Sequence, residues 1–262
     1  RFFAQAFTLA FTGQRPQGAA QKALLARKKC HLLAGAVVFG LWYPYPYREI
    51  SGGQSLFWLV VTVDLVLGPL LTWIVFDRRK PRAELVRDVS VIALLQLSAL
   101  VYGLLSVYQA RPVYLVHEVD RFVVVSAADV DPVDLPQATP EFQQLPWAGV
   151  RLIGVRESRN GQERLETLTL ALAGKDMSLR PSYWQALSED NKAAIRQRAK
   201  PLRDLRNRSV THASTVDQWL SKHSRTMDQL VFLPMVGRDQ YWSAVMDSST
   251  LEIIGYLPID GF

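Results

Sequence analysis

The chain has a single cysteine, Cys30, among its 262 residues. An internal disulfide is therefore impossible, and a cysteine-rich metal site is excluded. The four histidines form no His-x-x-x-His or Glu-x-x-His pair, and no Gly-x-Ser-x-Gly, phosphate-binding loop or dinucleotide fingerprint occurs. We therefore expect no enzyme activity, no metal, no cofactor and no small-molecule substrate.

Acidic residues are scarce in the first part of the chain. Residues 1–110 carry 12 Lys/Arg against 5 Asp/Glu, whereas residues 111–262 carry 18 against 19. A nucleic-acid binder would place its basic residues on a folded domain. Here they flank apolar runs, so nucleic acid is not an expected partner.

Three apolar runs lie within the first 110 residues. Ser55–Phe76 has 22 residues with one charge, and Val89–Ala110 has 22 with none. A transmembrane helix needs about 20 mostly apolar residues, so both runs are predicted spans. The first run, Cys30–Tyr43, has 14 residues. It is long enough only if its helix starts earlier, with basic side chains reaching back to the headgroups. A short interfacial or re-entrant segment is the alternative.

Basic residues around these runs set the expected orientation. They are Arg27, Lys28 and Lys29 before the first run and, in the hinge that follows the second, Arg78, Arg79 and Lys80 with two further arginines. The loop 44–54 holds only Arg48. The positive-inside rule then places the N-terminus and the hinge in the cytoplasm.

The predicted fold is a membrane protein with three transmembrane α-helices followed by a C-terminal α+β periplasmic domain. Residues 1–29 would form a cytoplasmic tail, 30–110 the membrane region and 111–262 the periplasmic domain. The spans are expected at about 26–43, 55–76 and 89–109, with a cytoplasmic hinge at 77–88.

Between the first two runs lies the Tyr-Pro segment, residues 42–52, with the sequence WYPYPYREISG. Trp42 and Tyr43 are expected to be interfacial anchors where the first helix leaves the hydrocarbon. The two prolines end that helix. Two roles remain open for Tyr45 and Tyr47: anchoring alone, or anchoring together with contact to a partner.

Asp64 is the one charged residue of the second run, about a turn before Gly68 and Pro69. A carboxylate at this depth costs at least about 2.5–3.5 kcal/mol, so it must be buried among helices, protonated or paired. Gln96 lies at a similar depth in the third run. Asp64 is thus a structural clamp between helices, part of a partner contact shaped with Gly68, Pro69 and Gln96, or a proton relay or catalytic acid.

From Arg111 onward, β-branched and aromatic runs alternate with amphipathic stretches. The predicted strands are Val113–Val119, Arg121–Ala127, Gly149–Glu157, Leu230–Gly237, Tyr241–Asp247 and Leu251–Ile259, and the predicted helices are Glu163–Ala173, Ser182–Lys200 and Thr215–Ser224. About 150 residues are enough for one compact domain.

The stretch HEVD, His117–Asp120, invites a metal or acid–base assignment. On a strand, however, His117 and Glu118 point to opposite faces. The pattern therefore predicts the end of a strand followed by a turn.

Four segments in order along the chain resemble one family. They are WYPYPYREISGG, VDLVLGPLLTWIVFD, VIALLQLSALVYGL and QARPVYLVHEVDRFVVVSAADVDP. They are similar to the bacterial type IV pilin accessory proteins (the TfpX/TfpZ family), from about Leu41 to Pro132 and more loosely to the C-terminal LEIIGYLPID. The resemblance implies a chaperone-like inner-membrane protein that binds a cognate type IV major pilin and modulates its stability and pilus assembly without catalysis.

Two other functions are compatible with the same sequence. One is a small membrane enzyme or transporter subunit that uses Asp64 as its acid, although no span holds a second ionisable group in its interior. The other is a membrane-tethered sensor. A sensor needs a cytoplasmic output domain, and the predicted cytoplasmic parts are a short tail and a twelve-residue hinge.

Overall fold

A computed structural model describes residues 35–75, 81–223, 225–238 and 240–262. These residues fall into two compact units. Residues 35–41 and Gly53–Gln109 belong to a helical unit, whereas Trp42–Gly52 and Ala110–Phe262 form a C-terminal unit. The Tyr-Pro segment is therefore part of the C-terminal unit, although in sequence it lies between two apolar runs.

The described helices and strands follow one another in a mixed order. A π-helical turn, Val38–Trp42, comes first. The α-helices are α1 (Tyr47–Ile50), α2 (Gly53–Val75), α3 (Arg82–Gln109), α4 (Gly161–Leu172), α5 (Glu189–Arg198), α6 (Leu202–Asn207) and α7 (Val210–His223). The strands are β1 (Pro112–Glu118), β2 (Arg121–Ser126), β3 (Arg151–Val155), β4 (Trp184–Gln185), β5 (Lys200–Pro201), β6 (Leu230–Val236), β7 (Tyr241–Asp247) and β8 (Ile253–Leu257).

The two long helices of the helical unit, α2 and α3, approach each other closely at Gly103. A Cβ atom at this position would overlap the side chain of Val60. Small residues allow such close packing between apolar helices. The outer side of α3 is apolar and exposed, with Leu94 at 67% and Tyr102 at 75%.

Within the described residues, one helix is long and apolar enough to cross a membrane. It is Ser90–Gln109, with 20 residues and a mean hydropathy of 2.0. In α2, the described apolar stretch Gly53–Val63 is shorter. Most of the span predicted at about 26–43 lies outside the described residues, as do six of the basic residues predicted to set the orientation: Arg27, Lys28, Lys29, Arg78, Arg79 and Lys80. Helix α3 begins at Arg82, within the stretch predicted as the hinge.

The C-terminal unit contains helices and a mixed β-sheet, where the sequence predicts an α+β domain. Its strand order is β4-β3-β1-β2-β6-β7-β8, and the short β5 pairs with β6. The pairs β1–β3 and β2–β6 are parallel, and the other pairs are antiparallel. The observed domain is thus a mixed α/β fold with β1 and β2 at its centre.

Both faces of the central strands are covered. In β1, Leu115 points into a cluster on one face with Met235 and Trp242, whereas Tyr114 and Val116 point into a cluster on the other. The second face is closed by the 130–145 loop under β1 and β3, and by α6 and α7 under β6 to β8. Burial on both sides explains why β1 reads as a continuous apolar run.

The predicted helix Ser182–Lys200 is wrong at its N-terminal end. Helix α5 begins at Glu189, because Ser188 caps it: its hydroxyl accepts the Asn191 backbone N–H, and Asn191 Oδ1 accepts the Ser188 N–H. This reciprocal pair is a capping box. The residues before it, Trp184–Gln185, pair with β3 instead.

The turn predicted after HEVD is confirmed. Strand β1 ends at Glu118, and Val119 adopts φ 56°. His117 is buried at 2% exposure against Phe122, and neither ring nitrogen has a hydrogen-bond partner within the described residues. Glu118 accepts the backbone N–H groups of Met177 and Ser178. His117 and Glu118 therefore contact different parts of the domain and do not form a common site.

The buried His117 predicts a pH-dependent stability. Burial lowers its pKa from 6.5 to about 4, so the unfolded chain binds a proton between these values that the native chain does not. The free energy of unfolding should therefore fall as the pH drops from 6.5 towards 4, by up to about 3 kcal/mol. Urea unfolding of the full chain in detergent, followed by tryptophan fluorescence at several pH values, measures this.

The matched variants are His117→Leu and His212→Gln. The first should lose this part of the pH dependence, because no group is left to titrate, and the second should retain it. Equal pH profiles for His117→Leu and the wild type would contradict the assignment to His117.

Candidate functional site

The Tyr-Pro segment is held in the core of the C-terminal unit. Tyr43 and Ile50 are fully buried, and Tyr47 is 6% exposed. Tyr47 and Ile50 join the cluster of Leu115 and Trp242 on one face of the sheet. The segment therefore covers this face as a helix or strand would.

Tyr47 connects α1 to the last strand. Its hydroxyl lies 3.1 Å from the hydroxyl of Tyr256 in β8, and the two rings meet edge-on with centroids 6.0 Å apart. Burial raises the pKa of Tyr47, and the neighbouring Tyr256 hydroxyl adds to the rise, so the hydrogen-bonded pair stays neutral.

The backbone of the segment is closed by local hydrogen bonds. The N–H of Tyr47 donates to the carbonyl of Pro44 at 2.8 Å, and the hydroxyl of Ser51 donates to the carbonyl of Tyr47 at 2.7 Å. Gly52 follows with φ 70°, a conformation that glycine adopts without strain. The prolines and glycines thus shape a compact turn whose apolar side is buried.

Tyr45 differs from its neighbours because it is 54% exposed. Its ring meets Trp242 edge-on with centroids 6.3 Å apart, and the Arg48 guanidinium lies 5.6 Å from its centroid. Trp242 itself is 4% exposed. Tyr45 therefore presents an exposed aromatic ring that contacts Trp242 and lies beside a positive charge, a combination frequent in binding surfaces.

Ile50 and Gly237 meet at van der Waals contact. A Cβ atom at Gly237 would overlap both the Ile50 side chain and the Ile50 carbonyl oxygen. Gly237 lies just after β6, and its N–H donates to the carbonyl of Gln240. Glycine is required here because the segment approaches the strand end so closely.

The intramembrane residues are described only in part. Asp64, Gly68 and Pro69 lie in α2, which runs through them without interruption, and their side chains lie outside the described part of the structure. Gln96 in α3 is half-buried, and its Nε2 has no hydrogen-bond partner within the described residues.

No group of three or more His, Cys, Asp or Glu side chains in the described ranges could hold a metal ion. The features that the sequence pattern did not reveal are the partners of the Tyr-Pro segment: Trp242, Gly237 and Tyr256. Each lies at least 185 residues beyond the segment. Such pairs carry no local periodicity.

The close approach at Gly237 makes Gly237→Ala a test of this packing. The added methyl group must displace backbone as well as a side chain, so we expect a loss of about 1–3 kcal/mol in the stability of the C-terminal unit. Thermal unfolding of the full chain in detergent measures it. Gly161→Ala is the control, since a Cβ there meets nothing within 4 Å. Equal unfolding temperatures for the two variants would contradict the close contact.

Comparison with known proteins points to one family. The family model described as "Fimbrial assembly protein FimB" matches residues 31–52, a range that contains the whole Tyr-Pro segment. Among curated proteins, the fimbrial assembly protein of serogroup I from Dichelobacter nodosus is 38% identical over 241 residues, covering 91% of this chain and 93% of the relative.

Two further relatives from Dichelobacter nodosus agree. The fimbrial assembly protein of serogroup E1 is 38% identical over 232 residues, 88% of this chain and 89% of the relative. That of serogroups C1 and C2 is 43% identical over 115 residues, 44% of this chain and 87% of the relative. No solved structure matches the chain significantly. The similarity extends over nearly the full length at well above 30% identity, so the resemblance to type IV pilin accessory proteins is confirmed and the chain belongs to the FimB family of fimbrial assembly proteins.

Proposed function

We propose that this chain is an inner-membrane accessory protein that binds a cognate type IV pilin and modulates its stability and assembly into the pilus, without catalysing a reaction. The observation that carries the proposal is the similarity to fimbrial assembly proteins over 91% of the chain, which supports a role in pilus assembly. The long apolar helices supply the means of membrane attachment.

The proposed topology has three spans, with the N-terminus in the cytoplasm and the C-terminal unit in the periplasm. This topology is supported by the chain segments that make up the C-terminal unit. Trp42–Gly52 and Ala110–Phe262 share one core, which supports a topology with both on the same side of the membrane. The intervening chain would then cross an even number of times, which α2 and α3 satisfy as a pair. The positive-inside rule selects the outer side.

Pilin recognition is proposed at two levels. Inside the bilayer, Asp64, Gly68 and Pro69 of α2 and Gln96 of α3 would shape the contact. Among the described residues, the Nε2 of Gln96 has no acceptor, which supports this, because an amide in hydrocarbon gains from any acceptor that a partner supplies. Outside the bilayer, Tyr45 would contact the pilin and Trp42 would anchor the segment at the interface, whereas Tyr43 is fully buried and holds the segment in the domain.

Serine substitutions at Tyr45 and Tyr47 distinguish a role in pilin recognition from a role in folding. Tyr45→Ser removes an exposed ring, so the fold should persist while pilin that co-purifies with the chain falls by about ten-fold. Tyr47→Ser removes a buried ring and the contact to Tyr256, so it should destabilise the C-terminal unit. Membrane insertion and thermal unfolding are measured alongside co-purification.

Tyr241→Ser is the matched control for Tyr45→Ser, since Tyr241 is 55% exposed. It should leave pilin binding unchanged. If Tyr45→Ser retains wild-type pilin binding, or if it fails to insert into the membrane, Tyr45 does not recognise the pilin directly.

Asp64→Leu tests the intramembrane contact. We expect a clear drop in co-purified pilin and in surface pili, because the leucine cannot hydrogen-bond across the helix interface. Asp64→Asn should retain more pilin than Asp64→Leu if hydrogen bonding rather than charge is required. Val66→Leu, at an exposed position of α2, is the neutral control. Unchanged co-purification and piliation in Asp64→Leu would contradict the proposed intramembrane contact.

A further inference from the structure

Helix α4 is amphipathic, but its apolar side faces outward. Leu165, Leu168 and Leu172 are 68%, 57% and 92% exposed, whereas Thr167 is buried. At 3.6 residues per turn, the three leucines and Arg164 occupy one arc of about 100°. A surface helix normally turns such a stripe towards its own core. We call these four residues the leucine face.

Polar contacts hold α4 in this orientation. Arg156 donates to both carboxylate oxygens of Glu163, at 2.7 and 3.3 Å, and these hydrogen bonds lower the pKa of Glu163 to about 2. The hydroxyls of Thr167 and Tyr183 lie 2.8 Å apart. The helix is thus fixed to the domain through its polar side.

Ion pairs to the domain also determine the charge on the outward side of α4. Arg180 lies 3.7 Å from Glu166, so both acids of α4 have arginine partners in the domain. Arg164 is exposed and forms no ion pair among the residues described. The leucine face is therefore an apolar stripe bordered by an uncompensated positive charge.

We infer that the leucine face of α4 is a docking surface for the exported part of the pilin, which would present an apolar strip beside a carboxylate. This inference rests on the proposed function, because it names the pilin as the occupant. Charge complementarity supports an acidic partner, since Arg164 is the one basic residue of α4 and lies on the same arc as the leucines.

Two other occupants fit the charges less well. A second copy of the chain would oppose Arg164 to Arg164 in a parallel pair, where like charges would meet. In an antiparallel pair, the α4 of the second copy would offer Arg164 no free carboxylate, because Glu163 and Glu166 already have arginine partners. An interfacial helix on a lipid surface is rich in Lys and Arg with Trp, Phe or Leu on its apolar side. Helix α4 has 12 residues, one arginine and no aromatic residue.

The first experiment is co-purification of pilin with the full chain from membranes. The double variant Leu165→Ser/Leu168→Ser should bind at least about ten-fold less pilin, because two exposed anchors are removed without disturbing the core. The matched control is Val133→Ser/Val210→Ser, which changes side chains that are 77% and 88% exposed elsewhere on the domain. It should bind as the wild type does.

The charge is tested by Arg164→Glu, which should lower pilin binding, and Arg164→Lys, which should retain it. A photo-crosslinking residue at position 168 should capture pilin, whereas the same residue at position 210 should not. Capture at position 168 of only a second copy of the chain, or only of lipid, overturns the inference.

The outcomes also separate the two proposals. If wild-type chain and the leucine double variant bind pilin equally, the leucine face is not the docking surface and the proposed function stands. If pilin does not co-purify with the wild type at all, both proposals fail.

Discussion

The burial of Ile50 and Tyr47 against the sheet is the contact on which the rest of the C-terminal unit depends. Without the Tyr-Pro segment, the face formed by Leu115, Met235 and Trp242 would lose much of its cover. The apolar surface exposed in that way would be costly in water. The Tyr-Pro segment, which forms the second half of the range matched by the family model, is therefore a structural element of the domain, with Tyr45 as its exposed exception.

The Tyr-Pro segment and helix α4 are attached to the domain by opposite kinds of contact. The Tyr-Pro segment is fixed by apolar side chains, with one hydroxyl pair at its edge, whereas α4 is fixed by arginine–carboxylate and hydroxyl contacts. Paired polar groups demand a defined geometry. A helix attached through its polar side is thus well oriented and leaves its apolar side for other contacts.

The sequence predicts much of this architecture where the signals are local. The β-branched runs locate β1, β2, β6 and β7 within one or two residues, and HEVD correctly marks the end of β1. The start of α5 was misplaced because Pro181 competes with the capping pair Ser188–Asn191 as a helix start. Periodicity locates α4 but does not say which side faces inward, since that choice is made by Arg156 and Tyr183. The environment of Tyr47 depends on a residue 209 positions away, which no local pattern encodes.

That separation has a consequence for biogenesis. The tyrosine pair joins the loop before α2 to the last strand of the chain, so the core cannot close until synthesis is nearly complete. Contacts of such high sequence separation form late and slowly. The Tyr-Pro segment is synthesised before α2, α3 and the strands β1 to β8, so its apolar side chains lack their partners until the sheet follows. In the proposed topology, where α2 and α3 cross the membrane as a pair, the core can close only after both crossings, and a chain with one crossing too few would leave the domain open to proteolysis.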